Sequence, residues 1–192
     1  TIQDAVGNTD DSTVTVTVNG VNDAPSLTVP NHTVQFINNP IVINPNISVS
    51  DIDSTDLDTG VITVTITSAG TANDQMAINA VGDNAGEVDV DGSNVEYEGT
   101  VIGTFTGGNG VSNPLEITFN ASATPAAAQA VFRQITFSNN SGSPDNTTRE
   151  ISFEITDGDG GTSATGASEV TMNQPPSASA DSAGVDEDNS IT

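Results

Sequence analysis

Twenty-six Asp and Glu side chains face only two basic residues, Arg133 and Arg149, in a chain of 192 residues with a formal charge of −24. Like charges at that density push a compact state apart unless water, salt or bound cations absorb the field. Such a chain can build a dense core only if its carboxylates stay outside or are held by counter-ions. The imbalance therefore predicts a cation-dependent fold.

Residue types narrow the class. The chain has one Tyr, no Trp and six Phe, and its apolar set is dominated by Val, Ile and Ala, which points to many short strands. Apolar residues make up 34%, below the usual globular share, so something besides packing must support the fold. Cysteine is absent, which excludes disulfides as that support and leaves bound metal as the expected staple. Nucleic acid is excluded as a partner because nothing here neutralises phosphates. An anionic membrane surface is excluded for the same reason. No run approaches the ~20 apolar residues a spanning helix needs, so no membrane insertion is expected. Thr1 to Asp10 does not read as a signal peptide, and the chain reads as an internal piece of a longer one.

Alternation organises the chain. Thr13 to Asn19 reads Thr-Val-Thr-Val-Thr-Val-Asn, a period of two that predicts a strand. The pattern returns at Val61 to Thr67, with weaker versions at Thr33 to Ile37, Leu115 to Phe119, Glu150 to Thr156 and Ser168 to Met172. Clusters of Gly, Asn, Asp and Pro separate these runs at the spacing of an all-β sandwich. Thr124 as N-cap, Pro125 at the first helical position and good helix formers from Ala126 to Gln134 predict one short helix. Its Val131 and Phe132 are expected to dock on the sandwich. A hairpin around Asp91-Gly92 should point Val88, Val90, Val95 and Tyr97 inward and gather Glu87, Asp89, Glu96 and Glu98 outside. Such a charged edge blocks sheet-to-sheet aggregation.

Two proline-bearing stretches stop the sheet: Val21-Asn22-Asp23-Ala24-Pro25 and Asn173-Gln174-Pro175-Pro176. Ile2-Gln3-Asp4 before one matches Ile155-Thr156-Asp157 before the other, each followed by a polar turn and an alternating run. This reads as an internal repeat seen at its seams. Residues 1–22 then close a preceding unit, 23–174 form a complete one, and 175–192 open the next.

Calcium takes six to eight oxygens from carboxylates, amides and carbonyls. The candidate donors are Asn22 with Asp23 at the first junction, Asp51 with Asp53 after a predicted strand, and Asp157 with Asp159 before the final one. Asp56 and Asp58 extend the second cluster, and Asp186, Glu187 and Asp188 mark the tail. Neither Asp51 to Ile62 nor Asp157 to Ser168 is an EF-hand loop, because the twelfth position lacks the bidentate Glu. Spacing by itself leaves calcium and a solvated turn equally open.

The order of these clusters says more. Asn-Asp-Ala-Pro at a junction, then Asp-x-Asp, then Thr-Asp-Gly-Asp-Gly-Gly before the closing strand resembles the cadherin arrangement. Ala127 to Ser138 followed by Thr148 to Ser163 is similar to the chondroitin-sulfate-proteoglycan-type, cadherin-like repeats of giant bacterial surface adhesins. That resemblance covers about 150 residues and implies inter-domain calcium. By position it makes Asn22 and Asp23 linker ligands, Asp51 and Asp53 the Asp-x-Asp pair, and Asp157 the later ligand. Asp4 would belong to the preceding unit's set. Asn173-Gln174-Pro175-Pro176 departs from the pattern, since it lacks the Asp of Asn-Asp-Ala-Pro.

His32, the single histidine, has no Ser or Cys motif partner, so nucleophilic catalysis is not expected and the reading is of a non-enzyme. Asp51 and Asp53 as a glycosidase pair would lack aromatic stacking surface. Arg133 and Arg149 are each expected to pair with a carboxylate. The expected fold is thus an antiparallel β-sandwich of cadherin or immunoglobulin type with one short helix. The expected role is a calcium-stiffened extender repeat of a secreted or cell-surface adhesin, with neighbouring repeats as partners and head-to-tail strand addition between chains through the terminal segments. The alternatives are a glycan- or protein-binding module acting through the polar stretch Gly103 to Asn113, and an accessory domain of an extracellular enzyme.

Overall fold

The computed structural model describes residues 2–10, 13–17 and 20–173. Its largest element is an eight-stranded sheet. The strand order is β4 (Thr33–Phe36), β15 (Gly166–Met172), β14 (Arg149–Ile155), β7 (Val61–Ser68), β12 (Leu115–Phe119), β11 (Thr100–Thr106), β10 (Asn94–Tyr97) and β9 (Val88–Asp91). Neighbours run antiparallel except β15 and β4, which are parallel. A second layer holds the three-stranded sheet β5 (Ile41–Val42), β13 (Ile135–Asn139) and β8 (Asp74–Ile78), the pair β3 (Ser26–Thr28) and β6 (Ser48–Ser50), and helix α1 (Pro125–Phe132). A separate small hairpin pairs β1 (Ile2–Gln3) with β2 (Thr9–Asp10). The chain is all-β and sandwich-like with one short helix.

Alternation sets the faces of the large sheet. In β7 every second residue, Ile62, Val64 and Ile66, is buried, while the threonines between them lie toward the other side. Leu115, Ile117 and Phe119 of β12 and Ile151, Phe153 and Ile155 of β14 repeat the pattern and complete the inner face. The second layer answers with Met76, Ile135, Phe137, Val131 and Phe132, all buried. Edge-to-face ring pairs cross between the layers, Phe36 with Phe137 at 5.6 Å and Phe153 with Phe132 at 6.1 Å.

The helix forms where its caps predict. Thr124 Oγ1 accepts from the Ala127 N–H at 3.2 Å, Pro125 opens the first turn, and Ala127, Ala128, Val131 and Phe132 are buried. The acidic hairpin has the expected register, with Val95 opposite Val90 and Glu96 opposite Asp89. Val88 and Val95 are fully buried, whereas Val90 and Tyr97 are half-buried near the sheet edge.

Three expectations need correction. Residues 13–17 form no strand, and Val14 and Val16 are 80% and 76% exposed. Alternation prepares two faces, but a strand also needs a neighbouring backbone, and no described strand pairs with this segment. The polar stretch Gly103 to Asn113, expected to present a loop tip for binding, is loop only in part, since residues 103–106 are the second half of β11. Gly103 lies opposite Phe119, and a Cβ there would sit 2.3 Å from the Thr118 carbonyl oxygen, so the glycine permits close strand approach instead of ending the strand. Arg133 donates its Nε to the Ile47 carbonyl at 2.7 Å, tying α1 to the start of β6, and forms no ion pair among the described residues.

Candidate functional site

The loop after β14 is organised by one carboxylate. Asp157 is fully buried. Its Oδ1 accepts from the N–H groups of Asp159 at 2.8 Å and Gly161 at 2.9 Å, and its own N–H reaches the Gly161 carbonyl at 3.3 Å. Its Oδ2 accepts from Asn22 Nδ2 at 2.8 Å, across 135 residues of sequence. Burial pushes the Asp157 carboxyl up, but the hydrogen bonds from Asn22, Gly161, Asp159 and Gly160 outweigh it and hold the group below the usual carboxylate range.

A second acidic turn follows β6. Asp51 Oδ1 accepts from the N–H groups of Asp53 at 3.2 Å and Ser54 at 3.0 Å, closing the turn on itself. Asp53 Oδ2 accepts from the backbone N–H of Asp23 at 3.0 Å. The junction segment therefore engages both turns through adjacent residues, Asn22 to Asp157 and Asp23 to Asp53. The start of β7 is fastened to the first of these loops by the Val61 N–H to Thr156 Oγ1 and the Thr156 N–H to the Val61 carbonyl, both 2.9 Å.

Gly161 makes this convergence possible. A Cβ on it would lie 2.1 Å from Asp157 Oδ2, 2.7 Å from Ala24 Cα and 3.1 Å from Asn22 Nδ2. Only a bare Cα lets the junction backbone lie so close to the buried carboxylate. Pro25, next along, is buried and anchors the segment to the sandwich.

Asn22, Asp23, Asp51, Asp53 and Asp157 thus share one network. Asp159 joins it through its backbone, while its side chain points to solvent. Asp56 and Asp58 are exposed and linked only locally, by the Asp58 N–H to Asp56 Oδ1. Asp186, Glu187 and Asp188, and all of the second junction after Asn173, lie outside the described residues.

One atom in the network stands out. Asp51 Oδ2 is buried and accepts no hydrogen bond. A buried carboxylate oxygen without a donor is costly unless a cation meets it. No three Asp, Glu, His or Cys side chains form a metal-holding group among the described residues. Calcium also accepts amide and carbonyl oxygens, so the donor set of Asn22, Asp23, Asp51, Asp53 and Asp157 fits a hard cation chemically.

The small N-terminal hairpin repeats the Asp157 loop almost bond for bond. Asp4 Oδ1 accepts from the N–H groups of Val6 and Asn8, both at 2.9 Å, and the Asp4 N–H reaches the Asn8 carbonyl. These are the same i+2 and i+4 bonds that Asp157 makes. Gln3 pairs with Thr9 just as Thr156 bridges Thr162. The carboxylates differ in the partner of Oδ2, which is Asn8 of the same loop for Asp4 and Asn22 of the junction for Asp157. Hydrogen bonds from Asn8 and Val6 hold the Asp4 carboxyl below its ordinary range.

A separate polar cluster realises the carboxylate pairing expected of Arg149, although its partners Asp74 and Asp145 carried no signature in the sequence. Arg149 is fully buried at the start of β14 and donates Nε to Asp74 Oδ2 at 3.2 Å; Asp74 is fully buried too. The guanidinium also grips Asp145 and the Thr147 carbonyl. Asp74 accepts further from the Thr71 N–H and from Asn139 Nδ2. Burial alone would lower the Arg149 pKa, but Asp145 and Asp74 outweigh it and raise the value. Every polar group in this cluster has a partner, which marks it as structural.

His32 is half-buried just before β4, and its carbonyl accepts from the Glu169 N–H at 2.9 Å. No helix among the described residues is long and apolar enough to cross a membrane. No family model fits the chain, and no curated protein or solved structure matches it.

Proposed function

We propose that this chain is an extender repeat of a large secreted or cell-surface adhesin, in which calcium at the acidic junction stiffens the connection between successive units. One observation carries the reading: the junction residues Asn22 and Asp23 bond to two acidic turns that lie far away in sequence, at Asp157 and Asp53. A linker held by side chains of the unit it enters is a hinge with a lock. The undonated, buried Asp51 Oδ2 and the charge of −24 favour a cation as part of that lock.

In this reading Asn22, Asp23, Asp51, Asp53 and Asp157 hold the ion, with the Asp159 loop supporting Asp157. Calcium supplies electrostatic cross-linking of carboxylates that otherwise repel. The twin loops at Asp4 and Asp157 support a tandem arrangement, with residues 1–22 closing one unit and 23–174 forming the next.

Binding confined to the folded state stabilises by RT ln(1 + [L]/Kd). Millimolar calcium at a site of about 10⁻⁴ M adds about 1.4 kcal/mol. Thermal melts in EDTA and in calcium test this, with a rise in midpoint expected on adding calcium and a loss of that rise in Asp51→Asn with Asp157→Asn. Identical midpoints for the parent chain in EDTA and calcium would refute the reading.

A further inference from the structure

The two edges of the eight-stranded sheet differ. At one, β9 carries Asp89 and Asp91 and opposes Glu96 on its neighbour, so another strand is repelled there. At the other, β4 carries no charge at all. It lies within residues 24–50, the longest stretch of the sequence without Asp, Glu, Lys or Arg.

Backbone geometry shows which groups that second edge offers. The Glu169 N–H bonds to the His32 carbonyl and the Asn173 N–H to the Phe36 carbonyl, both at 2.9 Å, and Thr171 Oγ1 reaches the Val34 carbonyl. Residues 32, 34 and 36 therefore turn toward β15. By alternation, the N–H and C=O groups of Thr33 and Gln35 point away from it. Thr33 and Gln35 are exposed, and Ile37 just beyond is 51% exposed. Beside them an uncharged cleft of about 270 Å³ is lined by Gln35, Ile37, Asn38, Asn39 and Ile41.

We propose that the β4 edge is a homotypic interface, at which two copies of this chain pair antiparallel about a two-fold axis through Gln35. Two arguments select a second copy as the occupant. In this register Gln35 faces Gln35 of the second copy as a hydrogen-bonded pair, while Val34 faces its Phe36 on the core side and Thr33 faces its Ile37 on the outer side. A β-branched residue opposite an aromatic one is a favourable cross-strand pair. Secondly, with 26 acidic residues against two basic ones, two copies repel over most of their surface. The uncharged β4 strand is where they can approach, with the Glu169 carboxylate of β15 lying beside it and accepting from Thr33 Oγ1 at 3.2 Å. The contact is short and hence weak for single units, and it gains strength wherever units are presented side by side. It involves none of the junction carboxylates, so it stands or falls separately from the cation reading.

The absence of cysteine provides the test. Residues opposed in a hydrogen-bonded antiparallel pair have Cα atoms about 5.5 Å apart, within disulfide reach. Gln35→Cys should cross-link into dimers under mild oxidation about tenfold faster than Ser93→Cys, placed in the exposed turn at the acidic edge. Sedimentation of the unaltered chain should show a monomer–dimer equilibrium that shifts toward dimer as salt screens the charge and that persists in EDTA. Gln35→Pro should abolish it with an unchanged melting midpoint, because the N–H it removes faces away from β15. Equal cross-linking of the two cysteine variants, a purely monomeric unaltered chain in concentrated high-salt solution, or a ladder of trimers and higher species would overturn the proposal. A ladder would indicate head-to-tail addition of residues 13–17 in place of the closed two-fold pair.

Discussion

Replacing Gly161 by Ala is the sharpest probe of the junction. Its added Cβ would stand 2.1 Å from Asp157 Oδ2, 2.7 Å from Ala24 Cα and 3.1 Å from Asn22 Nδ2. The first two are closer than van der Waals contact allows, and Ala24 Cα is backbone, so a rotamer change cannot relieve the clash. The junction segment must move out, and the 2.8 Å bond from Asn22 to the Asp157 carboxylate goes with it. A hydrogen bond to a charged group contributes about 1.5–3 kcal/mol, so a loss of about 2 kcal/mol is expected. In a domain of this size 1 kcal/mol moves the midpoint by roughly 2–4 °C, giving a fall of about 4–8 °C. Gly142→Ala is the control, because a Cβ there meets nothing within 4 Å. Differential scanning calorimetry of both variants reads the difference, with the response to calcium followed in parallel. If Gly161→Ala melts with Gly142→Ala and keeps the parent's calcium response, the junction is not held as described.

Two further predictions concern the buried arginine. Arg149→Met leaves Asp74 buried without its counter-charge and should cost about 3–5 kcal/mol in urea denaturation, with part of the loss recovered when Asp74→Asn is added, which removes the charge and keeps an acceptor for the Thr71 N–H. Arg149 holds the Asp145 carboxyl down at about 2, below the usual 3.8. A carboxylate whose folded pKa is depressed contributes stability that is fully present above its unfolded pKa and disappears as pH falls through the folded one. The contribution of Asp145 should therefore vanish between about pH 4 and pH 2. Asp145→Asn should show a shallower acid limb over that window than the parent, and parallel curves would contradict the assignment.

Much of the architecture was written in local pattern. Val61 to Thr67 announces β7 because each inward position is Ile or Val and the outward ones after Val61 are Thr, and Thr124-Pro125 announces α1 because those residues satisfy the first helical turn. What stayed hidden depends on neighbours distant in sequence. Residues 13–17 carry as clean an alternation as β7, yet the period specifies faces and says nothing about whether a backbone lies alongside. Gly103 looks like punctuation until β12 is seen to need the space. The junction was half legible. The types and order of Asn22, Asp23, Asp51, Asp53 and Asp157 single out the residues that converge, but their pairing across 135 and 30 positions does not follow from spacing. Gly161 carries no signal of its own, because its importance lies in the Cβ it lacks. The Asp74–Arg149 pair spans 75 positions with no motif at either end; only the scarcity of cations marked Arg149.

The parallel placement of β4 beside β15 governs how the unit would respond to being pulled. One strand lies near the entry of the sandwich and the other near its exit, and they point the same way. Tension applied at the two ends drives them past each other along their length, so their ladder bonds resist together. An antiparallel closing pair would peel apart one bond at a time. Mechanical strength in this unit thus depends on strand direction at β4, together with the β3–β6 pair and the junction bonds that precede it.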